Sequence, residues 1–425
     1  MMNKEKYLPR IIDKQIERYL NSFGAICIEG IKWCGKTSTA SINSESNIYI
    51  GDPTGNFQNK SLAEMNPKLV LTGDAPRLID EWQEVPQLWD AVRFEVDQSD
   101  EKGQFILTGS ATPTQKGILH SGAGRIAILR MRPMSLYESK DSSGQISLEK
   151  ICNEDFKNIM IEETNLENII NLIIRGGWPG SLNLKEENYS LIAKEYINAI
   201  INHDIYRLEG INRDTKKMTK LLKSLARNEC TTVSNNALKK DIKENDSENI
   251  DNDTIANYLS IFERMFLIEN QNAFSSNIRS SVRIKNKEKK HFTDPSLACA
   301  LLNASKKVLL NDLRTLGFLF ESLCERDLRI YSESFGAKLF HYQDYDNDEI
   351  DAVVELDNGD WIAIEIKLGC NQIDNAARSL VKIKNKIIKN GGTPPKVLCI
   401  ICGLSNAAYL RDDGVYVCPI TALKN

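Results

Sequence analysis

Residues 30–38 read Gly30-Ile31-Lys32-Trp33-Cys34-Gly35-Lys36-Thr37-Ser38. A glycine, four residues, then Gly-Lys-Thr is the spacing of a loop whose backbone N–H groups turn into one concavity and cradle phosphate oxygens. Lys36 would set a point charge against the β- and γ-phosphates, and the Thr37 hydroxyl would ligate Mg²⁺. An apolar run, AICIE (25–29), precedes the loop, and the helix-compatible TSTASIN follows it. A helix beginning there adds partial positive charge on the phosphate side. Residues 30–38 are therefore the candidate nucleotide contacts.

Such a loop needs an acidic partner on a neighbouring strand. Arg-Leu-Ile-Asp80-Glu81 supplies one about 45 residues on. Asp80 would hold the Mg²⁺, and Glu81 would orient or deprotonate the attacking water. The next apolar run, QFILTGS (104–110), ends in Thr108 and Ser110, which could position water against the γ-phosphate. Arg125, Arg130 and Arg132 follow. An arginine near the phosphates, from the same or a neighbouring subunit, could stabilise transition-state charge, and Arg125 is taken as the site residue; for each of the three, structural ion pairing is the competing reading.

A second set lies near the end of the chain. Asp351 opens the run AVVEL, and Glu365 and Lys367 stand two apart in WIAIEIK. Residues two apart in a strand share a face, so Glu365 and Lys367 project together, and a hairpin brings Asp351 beside them. Asp351 and Glu365 would bind a hard cation, Glu321 from the preceding helix (FLFESLCERDL) could complete it, and Lys367 would position water for attack on a phosphodiester. The alternative is a structural ion-pair network. Asp344, Asp346 and Asp348 read as a solvated loop.

These residues need a scaffold. Short apolar runs separated by helix-length stretches over 1–145 imply a buried, mostly parallel α/β sheet. Residues 146–300 have helical periodicity, and 301–425 return to a helix followed by strands. A length of 425 residues suggests three domains: 1–145, 146–300 and 301–425. In the middle region Lys216, Lys220, Lys223 and Arg227 fall on one helical face, either solvated or facing a phosphate backbone. The charged stretch 239–253 reads as a loop. Two helices, then strand-like segments carrying Arg279, Arg283, Lys285, Lys287, Lys289 and Lys290, give a winged-helix pattern with a basic wing.

Hydrophobic residues at 41% and charged residues at 26% exclude a wholly disordered or collagen-like chain. No apolar run reaches the roughly 18 residues of a membrane span, and no signal peptide is expected. A net charge of −4 argues against a uniformly basic nucleic-acid binder, not against local patches. Cys399 and Cys402 form a C-x-x-C without a second pair or a histidine cluster, so the ten cysteines read as core residues of a reducing, cytoplasmic protein.

GIKWCGKTS, PRLIDEWQEVP, FILTGSATP and GRIAILRMRPMSLYE, in this order, resemble the prokaryotic AAA-type ATPases that carry a DUF4143 C-terminal region. The resemblance implies an AAA-like P-loop domain, ATP rather than GTP, a winged-helix-like middle region and, in some relatives, rings with an arginine acting across subunits. The D…ExK spacing is similar to the PD-(D/E)xK fold of restriction enzymes and archaeal resolvases, although no proline precedes Asp351. The expectation is an ATP- and Mg²⁺-dependent hydrolase, able to homo-oligomerise, whose nuclease-like domain acts on or binds DNA. The alternative is an ATP-dependent switch that binds DNA or protein through a catalytically inactive nuclease-like fold.

Overall fold

The computed structural model describes residues 7–112, 118–206, 213–274 and 287–425. Arg279, Arg283 and Lys285 of the expected wing lie outside the described residues. The chain forms two compact units. The first comprises 1–133, 203–212 and 260–267; the second comprises 134–202, 213–259 and 268–425. Compactness thus groups most of 146–300 with the C-terminal region.

The first unit is built on five parallel strands: β1 (Ala25–Glu29), β2 (Ser46–Tyr49), β3 (Arg77–Asp80), β4 (Phe105–Gly109) and β5 (Ile126–Arg130), in the order β2-β3-β4-β1-β5. Every residue of β1 and β4 is buried. That is why these runs are continuously apolar instead of alternating. The helix Gln87–Asp97 covers the sheet with Leu88, Trp89, Val92 and Val96, which recur at helical spacing. A ligand of such a sheet belongs at the carboxyl ends of the strands, where β1 is flanked by β4 and β5.

The second unit holds a mixed seven-stranded sheet. Its strands are β7 (Ile159–Met160), β8 (Lys338–Gln343), β9 (Glu349–Glu355), β10 (Trp361–Lys367), β11 (Val397–Cys402), β12 (Ala407–Leu410) and β13 (Val415–Pro419). The order is β7-β12-β13-β11-β10-β9-β8, with β9 and β10 an antiparallel hairpin and β10, β11 and β13 parallel. A two-stranded parallel ribbon joins β6 (Ile146–Ser147) to β14 (Leu423–Lys424). The helix Ile373–Lys389 packs its Ile373, Ala376, Ala377, Leu380, Ile383 and Ile387 onto the sheet core. The long helix Leu313–Ser334 contacts β8, β9 and β10 and carries Glu321. Asp312 starts it by accepting from Thr315 N–H.

Two expectations change. The stretch 239–253 is not all loop: the helix Asn235–Asp246 runs into it, because Leu238 and Ile242 are buried one turn apart and Ser234 caps the first turn. Charge density hid a two-residue apolar stripe. Within 268–274 and 287–292, the described residues on this stretch, the pairing is by isolated bridges (Thr231 with Lys290, Ile268 with Phe292, Gln271 with Lys289) and not by wing strands. Among those residues no helix is long and apolar enough to cross a membrane.

Candidate nucleotide and carboxylate sites

The loop after β1 has the backbone that its sequence requires. Gly35 sits at φ +105° before the helix Lys36–Ile42. A Cβ at Gly30 would lie 2.0 Å from the Met131 carbonyl oxygen, so only glycine allows β5's extension to pass this close. Trp33, at φ +70°, is exposed at the loop tip. Lys36 is buried and donates to the Gly30 and Ile31 carbonyls, both at 2.9 Å. Lys32 pairs with Asp204 at 2.7 Å. Cys34 donates to the Met131 carbonyl, and Ser38 lies half-buried on the following helix. Arg10 fixes the loop from outside the motif: its guanidinium donates to the carbonyls of Cys34 (2.7 Å) and Arg132 (2.8 Å).

Asp80 ends β3 beside the loop. One of its oxygens, Oδ1, accepts from the Thr37 hydroxyl at 2.8 Å and the Thr108 hydroxyl at 2.6 Å. Burial raises the Asp80 pKa, and the two hydroxyls work against that. Glu81 adopts φ +58°, an unusual conformation for a side-chain-bearing residue and one found where function constrains the chain. Its N–H donates to Thr108 Oγ1, and its Oε2 accepts from Ser110 Oγ at 2.9 Å. Gln83 also donates to Glu81 and to Ser110. The structure thus brings Lys36, Thr37, Asp80, Glu81, Thr108 and Ser110 close together. Gln83 and Arg10 join them without having been singled out; only the Q of the quoted PRLIDEWQEVP run pointed to Gln83.

Arg125 lies away from the loop of its own unit. The parallel register pairs Glu29 with Arg130, and Ala25 N–H donates to the Arg125 carbonyl. Arg125 therefore stands at the amino end of β5, about 16 Å of strand from the loop end at roughly 3.3 Å per residue. It pairs with Asp97 at 2.7 Å. Within its own unit it does not reach phosphates on the loop. Arg130 is at the right end, near Glu29 at 3.9 Å and over the Phe266 ring at 3.7 Å.

In the second unit the hairpin places Asp351, Glu365 and Lys367 together. The β9–β10 register has Ala352 opposite Ile364, so Asp351 faces Glu365. Lys367 Nζ lies 2.5 Å from Glu365 and 3.0 Å from Asp351. Asp351 Oδ2 also accepts the Ile366 N–H at 2.8 Å. Burial and the neighbouring Asp351 push the Glu365 carboxyl up to about 8, against Lys367. Asp351 is held below its ordinary value: the Lys367 and Lys289 ammoniums outweigh its burial. Glu321 joins the group through Lys289, at 2.6 Å, and burial raises it to about 7.

Lys289 is thus not part of an exposed wing; only 1% of it is exposed. The basic helical stripe also divides. Lys220 pairs with Glu248 at 2.9 Å, and Arg227 with Asp241 and Asp246, both at 2.6 Å. Lys216 and Lys223 instead line a cavity of about 370 Å³ with Lys194, Asn198 and Thr219. Asp344, Asp346 and Asp348 gather around Lys386. Cys399 and Cys402 are buried in β11, as a core reading implies.

Residues 22–140 match the family model described as an AAA domain. Residues 166–308 match one domain of unknown function, DUF8612, and residues 316–423 another, DUF4143. No curated protein matches the chain in sequence. Among solved structures it is similar to a Walker-type ATPase of Pyrococcus abyssi, at 12% identity and TM-score 0.43, over 71% of this chain and 97% of that one. It is also similar to the Orc1 protein of Aeropyrum pernix in complex with DNA, at 13% identity and TM-score 0.27, over 72% and 97%. A signal-transduction ATPase with a tetratricopeptide repeat sensor from Pyrococcus horikoshii aligns at 16% identity and TM-score 0.26, over 78% and 49%. The chain carries an AAA-type, P-loop ATPase-like domain at 22–140 and a DUF4143 region at 316–423.

Proposed function

We propose that this protein binds and hydrolyses ATP at the loop of residues 30–38. The observation that carries the reading is the shared Asp80 oxygen, bonded to both Thr37 and Thr108 directly beside the glycine loop. Thr37 and Asp80 are hard oxygen donors and fit Mg²⁺ held mainly through water. When bound, that ion would offset charge on the transferring phosphoryl group. The loop N–H groups and Lys36 bind the phosphates. Glu81, oriented by Ser110 and Gln83, takes the proton of the attacking water, and Thr108 fixes the position of Asp80 and Glu81 together. Of the three arginines Arg125, Arg130 and Arg132, Arg130 and Arg132 stand at the phosphate end of the sheet and Arg125 at the opposite end. Steady-state ATP hydrolysis by wild type and Lys36→Ala tests the assignment: turnover should vanish in the variant, and normal turnover would refute it.

The second unit we read as a nuclease-like fold that binds or acts on DNA. Asp351, Glu365 and Lys367 meet on one hairpin face, which supports a site for phosphodiester chemistry. The second reading, an ATP-driven switch on a fold that no longer cuts, is favoured by a specific feature: Asp351 and Glu365 already share an ammonium, and Glu321 has its own. Supercoiled plasmid and branched DNA incubated with Mg²⁺ or Mn²⁺, with and without ATP, separate the two. Cleavage lost in Asp351→Ala establishes the nuclease; no cleavage in any condition supports the switch.

A further inference from the structure

We propose that Lys289 is the resident cation of the carboxylate cluster in the second unit and keeps divalent metal out of it. The inference rests on reading Glu321, Asp351 and Glu365 as a nuclease-type metal site. Each of these three carboxylates has an ammonium against it. Lys289 Nζ lies 2.6 Å from Glu321 Oε1 and 3.6 Å from Glu349 Oε1. Lys367 covers Asp351 and Glu365.

The two lysines differ in what they imply. Lys367 belongs to the D…ExK hairpin itself and retains some exposure, with 26% of its side chain accessible. Lys289 arrives from a different segment, and its side chain is 2% accessible. Its backbone is fixed: its N–H and carbonyl bond reciprocally to Gln271, and the next residue bridges Thr231. The Gln271 side chain in turn donates to Glu325 and to the Phe340 carbonyl, so the segment bridged to Lys289 is tied to the same helix as Glu321 and to β8.

Burying an ammonium this completely is unfavourable unless anions surround it. Glu321 and Glu349 supply them, at 2.6 and 3.6 Å from its Nζ. A magnesium ion bonded to a carboxylate oxygen sits at about 2.0–2.1 Å. An ammonium 2.6 Å from the Glu321 oxygen competes for that lone pair and repels a dication placed beside it. With Lys289 in place the residues present do not fit a divalent ion. Removing its charge takes that repulsion away from Glu321, with Lys367 still against Asp351 and Glu365.

The test is Mn²⁺ binding to full-length, nucleotide-free protein, followed by the electron paramagnetic resonance of free Mn²⁺. Four proteins are compared: wild type, Asp351→Asn, Lys289→Met and Lys289→Met with Glu365→Gln. The expected result is no Asp351-dependent site in wild type, one new site at least tenfold tighter in Lys289→Met, and its loss in the double variant. Wild type that binds Mn²⁺ and loses it in Asp351→Asn overturns the proposal but leaves the metal-site reading intact, and this arm needs no Lys289 variant to fold. Folded Lys289→Met that binds no more Mn²⁺ than a non-binding wild type overturns both. Folding is checked by the thermal melting of each variant.

Discussion

The chemistry of the first unit depends on how few atoms hold Glu81. Its carboxylate is restrained by Ser110 Oγ and the Gln83 amide, while its N–H is fixed by Thr108. A general base contributes about 10²–10⁴-fold, and misorientation forfeits part of that. Ser110→Ala should therefore lower kcat roughly tenfold with little change in KM, measured by phosphate release at saturating ATP. A rise in KM with unchanged kcat would assign Ser110 to binding instead. Elsewhere, Glu229 is buried and accepts from Phe292 N–H and the Ser322 hydroxyl. Burial pushes its carboxyl up to about 8, with the two donors opposing. Between about pH 4.5 and 8 the folded chain keeps a proton that the unfolded chain has released, so this group's contribution to stability falls as pH rises through that window. The adjacent His291, whose burial lowers its pKa, acts the other way below its ordinary value of 6.5. Glu229→Gln should gain on wild type by up to about 1.4 kcal/mol per pH unit within the window. Urea unfolding across pH 5–8 reads the difference, and parallel curves would contradict it. The glycine loop, Asp80 and Glu81 were legible because their spacing is itself the chemical requirement. Arg10 and the burial of Lys289 were not, since nothing local marks an arginine 24 residues upstream of the carbonyl that it caps.

Elements were legible where apolar periodicity was strong. β1, β4, β10 and β11 are fully or almost fully buried and read directly as strands. The middle region was harder, because its helices carry narrow apolar stripes under heavy charge, as Leu238 and Ile242 do. What holds the second unit's elements together was invisible in the sequence. Arg326 on the helix Leu313–Ser334 pairs with Asp294 at 2.9 Å and Asp327 at 2.8 Å. Asp294 also caps the helix Pro295–Leu302 and accepts the Gly177 N–H, while Asp327 accepts the Leu136 N–H. Each aspartate is fully buried and joins segments more than 100 residues apart. Removing one partner of such a group leaves uncompensated buried charge, at a cost of about 3–5 kcal/mol. Arg326→Ala should lose that much in equilibrium denaturation, and a loss under 1 kcal/mol would show that the network contributes little.

For the molecule as a whole, the sequence pointed to an ATPase-like domain first and a carboxylate–lysine site last, and both sets of residues converge within their own units. The three-part division followed texture along the chain, whereas compactness follows contacts such as those of Asp294 and Asp327, which tie residues 134–177 to 294–327. Register also separates two arginines that the sequence does not: Arg125 and Arg130 lie at opposite ends of β5. The central claim is hydrolysis of ATP with Glu81 as the base. The most direct measurement pairs equilibrium binding of a fluorescent ATP analogue with ATP turnover in Glu81→Gln. Binding within about threefold of wild type, with turnover lowered about 100-fold or more, is the result expected from loss of a general base. Turnover at the wild-type rate would contradict the account.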